Sequence, residues 1–290
     1  MSVSHTTPAR TGSAFADLRS RVLSAVVLVG AALGALLLGG WPFVVFWLAA
    51  GLAVLWEWQR LVGGVRRGAR LLIGVAALCG AAALCVFGEA DLAAVELVLA
   101  SLSVGAAAGA GRRLWAGAGV LYAGVLIVSV LTVRPALAAS FERPFDVRTV
   151  LWLFAVVWGT DVAAYFAGRA LGGPKVWPAV SAGKTWSGTL VGVGFGALAG
   201  FLVAAVRPIL PVSFGPVFVI GLVAAAASQA GDFLESGVKR RFGAKDSSGL
   251  IPGHGGVMDR LDGFIAAAAF AVLLSLLRDA NSVGEAIFRW

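Results

Sequence analysis

The chain has 290 residues, of which 59% are hydrophobic and only 13% charged, with a mean hydropathy of +0.91 and a formal net charge of +8. An average soluble domain carries about 25% charged residues, so these values exclude a water-soluble globular fold. With so little chain left outside apolar runs, they also exclude a nucleic-acid-binding protein, and the positive charge fits the anionic headgroups of a lipid bilayer. The sequence reads as an all-α, polytopic membrane protein.

The first eighteen residues are polar and rich in Ser and Thr, and predict a flexible tail. The apolar run after Arg21 is too long for the core of a signal peptide and reads as a retained first helix. Crossing about 30 Å of hydrocarbon takes about 20 apolar residues at ~1.5 Å rise each, and about nine such spans are predicted. They fall at Val22–Leu38, Phe43–Leu61, Leu71–Gly88, Leu92–Ala110, Leu114–Val133, Val150–Ala167, Thr189–Val206, Val212–Ala230 and Phe264–Leu277. The chain therefore divides into a tail over 1–18, N-terminal membrane helices over 19–148, and C-terminal membrane helices with catalytic loops over 149–290. Cys79 and Cys85 both fall in the third span and read as buried, inert thiols.

Lys and Arg gather on the side of the N-terminus, at Arg10, Arg19 and Arg21 and in the loops holding Arg60 to Arg70, Arg112 and Arg113, Arg169 to Lys184, and Lys239 to Arg260. The opposite side keeps only Arg134, Arg143, Arg148, Arg207, Arg278 and Arg289. The positive-inside rule then predicts a cytoplasmic N-terminus and, after an odd number of spans, a C-terminus outside. The expected location is the inner (cytoplasmic) membrane.

Polar residues are sparse in the first half. Glu57 in "LWEWQRL" stands beside Trp56, Trp58 and Arg60 and reads as part of a membrane-interface belt. The second half differs. "WGTDVAAYFAGR" places Asp161, Tyr165 and Gly168 on one helical face, and a carboxylate inside a span usually faces protein or water. "GDFLESGVKRR" puts Asp232, Ser236 and Lys239 on one stripe. Gly188, Gly192, Gly196 and Gly200 recur every fourth residue and predict a close helix contact.

The densest polar stretch is "KDSSGLIPGHGGVMDRLDG". Its glycines and Pro252 cannot stay helical and can turn backbone N–H groups toward phosphate oxygens. Lys239, Arg240, Lys245 and Arg260 supply cations, while Asp232, Asp246, Asp259 and Asp262 supply the hard oxygens that magnesium takes alongside substrate phosphates. A P-loop sequence is absent.

The run Ser236 to Asp262, "SGVKRRFGAKDSSGLIPGHGGVMDRLD", closely resembles the signature of phosphatidate cytidylyltransferases, also called CDP-diacylglycerol synthases. The matching positions are Ser236, Lys239 and Arg240, Lys245 and Asp246, Pro252, His254 to Gly256, Asp259 and Arg260, and Asp262. "GDFLES" and "WGTDVAAYFAGR" resemble the same family, so that the likeness covers roughly Trp158 to Gly263. Where the family has Ser-Pro-Lys-Lys-Thr-x-Glu-Gly this chain reads "SAGKTWSG": Ser181, Lys184, Thr185 and Gly188 match, and Ser187 stands at the glutamate position.

The resemblance implies transfer of a cytidylyl group from CTP to phosphatidic acid, releasing pyrophosphate, with Mg2+ or another divalent cation and a second cation left open. It implies a metal held by Asp232 and Asp259, further catalytic roles for Lys184, Asp161 and Asp246, and substrate contacts from Ser181, Lys239, Arg240, Lys245, His254, Gly255, Gly256, Arg260 and Asp262. His254 would either touch the nucleotide or brace the glycine turn. A cytidylyltransferase acting on an ether lipid phosphate needs the same site, and a secondary transporter would show a repeated pair of interrupted spans, which is not seen. Homodimerisation is left open.

Overall fold

The computed structural model describes residues 11–137, 145–206 and 212–290, with side chains from Val22 onward. Arg10, Arg143 and Arg207, which entered the charge reading, lie outside the described residues. Among the described residues nine long helices follow one another: α1 Thr11–Leu38, α2 Gly40–Val62, α3 Arg67–Val86, α4 Ala90–Ala107, α5 Arg113–Val133, α6 Asp146–Leu171, α7 Trp186–Ala205, α8 Phe214–Arg241 and α9 Met258–Leu277. Eight are long and apolar enough to span a membrane, and α1 adds a shorter apolar stretch, Val22–Leu38. The expected all-α membrane architecture is what the chain forms.

Several boundaries differ from the sequence reading. Helix α1 starts at Thr11, so the described part of the expected tail is helical. Helix α8 continues through Arg241 and α9 begins at Met258, which puts Asp259 and Asp262 on a helix and shortens the polar loop to residues 242–257. Two elements were not expected at all. A small antiparallel hairpin, β1 Lys175–Trp177 and β2 Ser181–Thr185, links α6 to α7. A short helix, α10 Val283–Phe288, folds back under the far end of the bundle, where the Phe288 carbonyl accepts from the Ser213 N–H at 2.9 Å. Cys85 is buried as expected, but Cys79 points outward from α3.

Two features position the site. An aromatic stack joins the halves: Trp47 of α2 lies face to face with Phe264 of α9, 5.0 Å between ring centroids and 9° between planes, and Trp47 also stacks on Phe154 of α6. Arginines hold the end of α2, since Arg112 donates to the Val62 carbonyl at 2.6 Å and Arg70 to Gly63 at 2.5 Å, satisfying carbonyls that a helix end leaves unpaired.

The glycine ridge of α7 packs on α6 as its spacing predicts. A Cβ at Gly192 would meet the Thr160 carbonyl at 2.8 Å, and one at Gly196 would meet the Val156 carbonyl at 2.7 Å and collide with the Thr160 hydroxyl. Overpacking of this kind costs about 1–3 kcal/mol. Gly196→Leu is therefore expected to lower the melting temperature in detergent by several degrees, whereas Gly194→Leu, whose Cβ meets nothing within 4 Å, leaves it unchanged. Equal melting temperatures for the two variants would show that the ridge does not carry the α6–α7 contact.

Candidate active site

The hairpin, the loop and the adjoining helix ends share one side of the bundle, hereafter the loop side. The charged residues there sort into two clusters. One is open. Lys184, at the end of β2, donates to Gln229 Oε1 at 3.0 Å, pairs with Asp232 of α8 and lies 4.8 Å from the centre of the Phe233 ring. The Asp232 and Asp262 carboxyl groups are within hydrogen-bonding range of each other. Asp161 of α6 is exposed and lies within electrostatic reach of Asp232, Lys184 and Arg260.

Glycines bring this carboxylate pair together. A Cβ at Gly231 would meet the Asp262 carbonyl at 2.5 Å, and one at Gly263 would meet Asp232 Oδ1 at 2.8 Å and the Ser228 hydroxyl more closely still. Helices α8 and α9 thus touch backbone to backbone where the two aspartates project. The Ser228 hydroxyl is buried and has no hydrogen-bond partner among the described residues, so it and Asp232 Oδ1 converge on the hollow that Gly263 leaves.

The second cluster is closed. Lys239 Nζ lies 2.6 Å from Asp259 Oδ1 and 2.6 Å from Glu235 Oε2. The first is an aligned hydrogen bond. The second is an ion contact without that alignment, and among the described residues neither Glu235 oxygen has a hydrogen-bond partner although the side chain is fully buried. Asp259 also accepts from the Ser247 hydroxyl at 3.0 Å and from the backbone N–H groups of Ser247 at 3.0 Å and Gly256 at 2.7 Å. Lys239, expected to meet phosphate, instead sits between two carboxylates. Asp259, expected to share a metal with Asp232, has its oxygens taken by protein donors.

The same holds for the loop backbone. Gly253 and Gly255 take positive φ, as a turn of this kind requires. The N–H of Gly256, however, points at Asp259, and those of Val257 and Met258 point at Glu57 Oε1 and Oε2, at 2.9 and 2.7 Å. The Ser248 hydroxyl donates to Glu57 at 2.5 Å, and the single Ser247 hydroxyl proton is shared between Glu57, at 3.1 Å, and Asp259. Glu57 is fully buried. The interface-belt reading of Glu57 and Trp58 is thereby corrected: Trp58 is buried, donating to the Trp115 carbonyl at 2.7 Å, because α5 and the loop cover this end of α2. Only Trp56, under the guanidinium groups of Arg60 and Arg67, keeps that character. A carboxylate inside an apolar span was the signal that could have exposed Glu57.

The remaining expected residues ring the opening. Arg240, Lys245, Asp246 and Arg260 are exposed. Arg260 grips the His254 carbonyl through two donors at 2.9 and 3.1 Å, and His254 Nδ1 lies 2.7 Å from the Ser24 hydroxyl of α1, so the imidazole braces the loop tip against the first helix. Gly255 lies in the loop, bridging to Ile251, and Ser181 starts β2. At the departure from the family pattern, the Ser187 hydroxyl donates to the Gly172 carbonyl and closes the base of the hairpin.

Among the described residues no three carboxylate, imidazole or thiol side chains form a ready-made metal cage. The open cluster nevertheless fits a divalent cation. Asp232, Asp262 and the unpartnered Ser228 hydroxyl offer hard oxygens, and magnesium commonly takes one or two carboxylates and completes its shell with substrate phosphates and water.

Residues 19–277 match the cytidylyltransferase family. The chain is 40% identical to the phosphatidate cytidylyltransferase of Brucella suis over 274 residues, covering 94% of this chain and 98% of that protein. It is 34% identical to the phosphatidate cytidylyltransferase of Pseudomonas aeruginosa over 276 residues, covering 89% of this chain and 97% of that protein. The chain belongs to the cytidylyltransferase family.

Removing the Glu57 carboxylate leaves buried N–H groups unpaired, at about 1–3 kcal/mol each. Glu57→Ala should therefore lower stability and make trypsin cut at Lys245, in the loop, several-fold faster, with Glu57→Gln intermediate. Unchanged cleavage in Glu57→Ala would show that the loop is held by other contacts.

Proposed function

We propose that this chain transfers the cytidylyl group of CTP to phosphatidic acid, giving CDP-diacylglycerol and pyrophosphate. The observation that carries this reading is the open cluster at the meeting of α6, β2, α8 and α9, in a membrane-spanning chain whose full-length relatives are named phosphatidate cytidylyltransferases. A phosphate oxygen of the lipid attacks the α-phosphorus of CTP. The bond from that phosphorus to the oxygen bridging to the β-phosphate breaks, and pyrophosphate leaves with the electron pair. The nucleophile is already anionic, so the work of the site is to position two polyanions and neutralise their charge.

Asp232 and Asp262, with the Ser228 hydroxyl beside them, would hold a divalent cation. A bound cation there supplies charge neutralisation and a template for the phosphates. Lys184 is fixed by Gln229, Asp232 and the Phe233 ring yet partly exposed, and presents its ammonium to a phosphate. Arg260 and the exposed Arg240 and Lys245 draw the nucleotide in by charge. Asp161 orients groups at the lipid side of the cluster. Asp259, Lys239 and Glu57 act one step back by fixing where the loop and the start of α9 sit.

This reading requires CDP-diacylglycerol and pyrophosphate in equal amounts from CTP and phosphatidic acid, only with a divalent cation present. Asp232→Asn and Asp262→Asn should each lower turnover by roughly 10- to 100-fold or more while the protein still folds, and the double variant should be little worse than either alone. ATP and GTP should serve poorly, because polar groups that meet the cytosine edge are left unpaired by a purine. Absence of product from folded protein across metals and lipid phosphates would refute the reading, and product from an ether lipid phosphate alone would replace the acceptor.

The basic loop side faces the cytoplasm in this proposal, in the inner membrane, with the C-terminus outside. A reporter that is active only in the cytoplasm, fused after Trp290, should be silent. Strong activity there would reverse the orientation.

A further inference from the structure

Helix α6 carries a second surface that the chemistry above leaves unused. Val147, Leu151, Phe154, Ala155 and Trp158 fall on one helical stripe and form the floor of a trough of about 590 Å3. Leu33 of α1 stands on one side, Val203 of α7 on the other. Arg148, donating to the Val206 carbonyl at 3.2 Å, closes the end away from the loops. At the other end the stripe runs on from Trp158 to Asp161, one turn along the helix, and so into the open cluster.

We propose that this trough holds an acyl chain of the lipid phosphate while its headgroup lies at Asp161, Lys184 and Arg260. The proposal rests on the acceptor being a lipid phosphate, and three observations point to an acyl chain as the occupant. The floor of the trough ends at Trp158, one helical turn from Asp161 of the charged cluster. Its floor from Val147 to Trp158 is about 17 Å long at ~1.5 Å per residue, close to the ~15 Å of hydrocarbon in one leaflet. Its position also answers a geometric need. Asp161 lies ten residues, about 15 Å, from the end of α6 at Leu171. A phosphate brought to it is drawn toward the middle of the bilayer, and its chains must then extend into the distal half, where the trough runs.

Ala155 is the small residue of the floor and acts as a gauge of chain length. Ala155→Phe fills the trough midway and Val203→Phe narrows it from the opposite wall. For each, kcat/KM with dioleoyl phosphatidic acid relative to a dihexanoyl substrate should fall at least about tenfold, the scale on which an apolar pocket discriminates methylenes. The short-chain reaction reports folding and chemistry in the same sample. Leu102→Phe, on the exposed face of α4 away from the trough, should leave the ratio as in the parent. An unchanged ratio in both trough variants, or equal loss toward both chain lengths in both, would overturn the inference. If the parent protein makes no CDP-lipid from any lipid phosphate, the functional reading fails instead.

Discussion

The site depends on one buried carboxylate near the end of the second helix. Glu57 accepts from two serine hydroxyls and from the first N–H groups of α9, some two hundred residues further along the chain. A carboxylate taken out of water is costly unless its oxygens find donors. Here both oxygens are filled, and the positive end of the α9 dipole lies against them. The partnership also explains Gly256, since any Cβ there would collide with Glu57 and with the Ser247 hydroxyl. The N-terminal helices thus fix the place of the loop. Asp259 repeats the device one turn on, gathering Ser247, Gly256 and Lys239 around a second carboxylate.

The nine spans were legible because the length of an apolar run is set by the bilayer, and that signal survives in any single sequence. The glycine ridge of α7 was legible for a similar reason, as a period on one helix. The hairpin was not, because three- and five-residue strands leave no alternation to read, and neither was α10, which is too short to show a period. Within the candidate site the sequence brought out the acids and bases of the loop and its flanking helices, but not Glu57, Ser228 or Gln229, nor which side chains meet. Asp232, Ser236 and Lys239 do share a stripe, but the partners of the two lysines lie on other elements, apart from Glu235, whose i,i+4 spacing to Lys239 was open to view. Asp232 and Asp259, read as one metal-holding pair, have different protein neighbours: Asp232, inside α8, pairs with Lys184, and Asp259, in the first turn of α9, pairs with Lys239. Contacts between helices are set by rotation about their axes, which composition does not reveal.

The separation of the two charged clusters has a physical logic. The Lys239, Glu235 and Asp259 group is nearly dry, with Asp259 ringed by internal donors and Glu235 balanced by Lys239, so disturbing it would strand a charge in a medium that screens it poorly. Lys184, Asp232, Asp262 and Asp161 stand nearer solvent and set three carboxyl groups against one ammonium. That is an arrangement which binding of a cation and a polyphosphate together would balance. Rigidity and adaptability are thereby assigned to different carboxylates on the same pair of helices.

The glycine contact between α8 and α9 has a consequence for how the open pair is held. Because Gly231 and Gly263 let the backbones meet, the spacing of Asp232 and Asp262 is set by the helix crossing and only secondarily by side-chain rotamers. Two carboxyl groups on flexible stems would swing apart in water. On touching helices that escape is closed. The ordering entropy of the pair is then spent during folding, so that the oxygens stand converged in the folded chain.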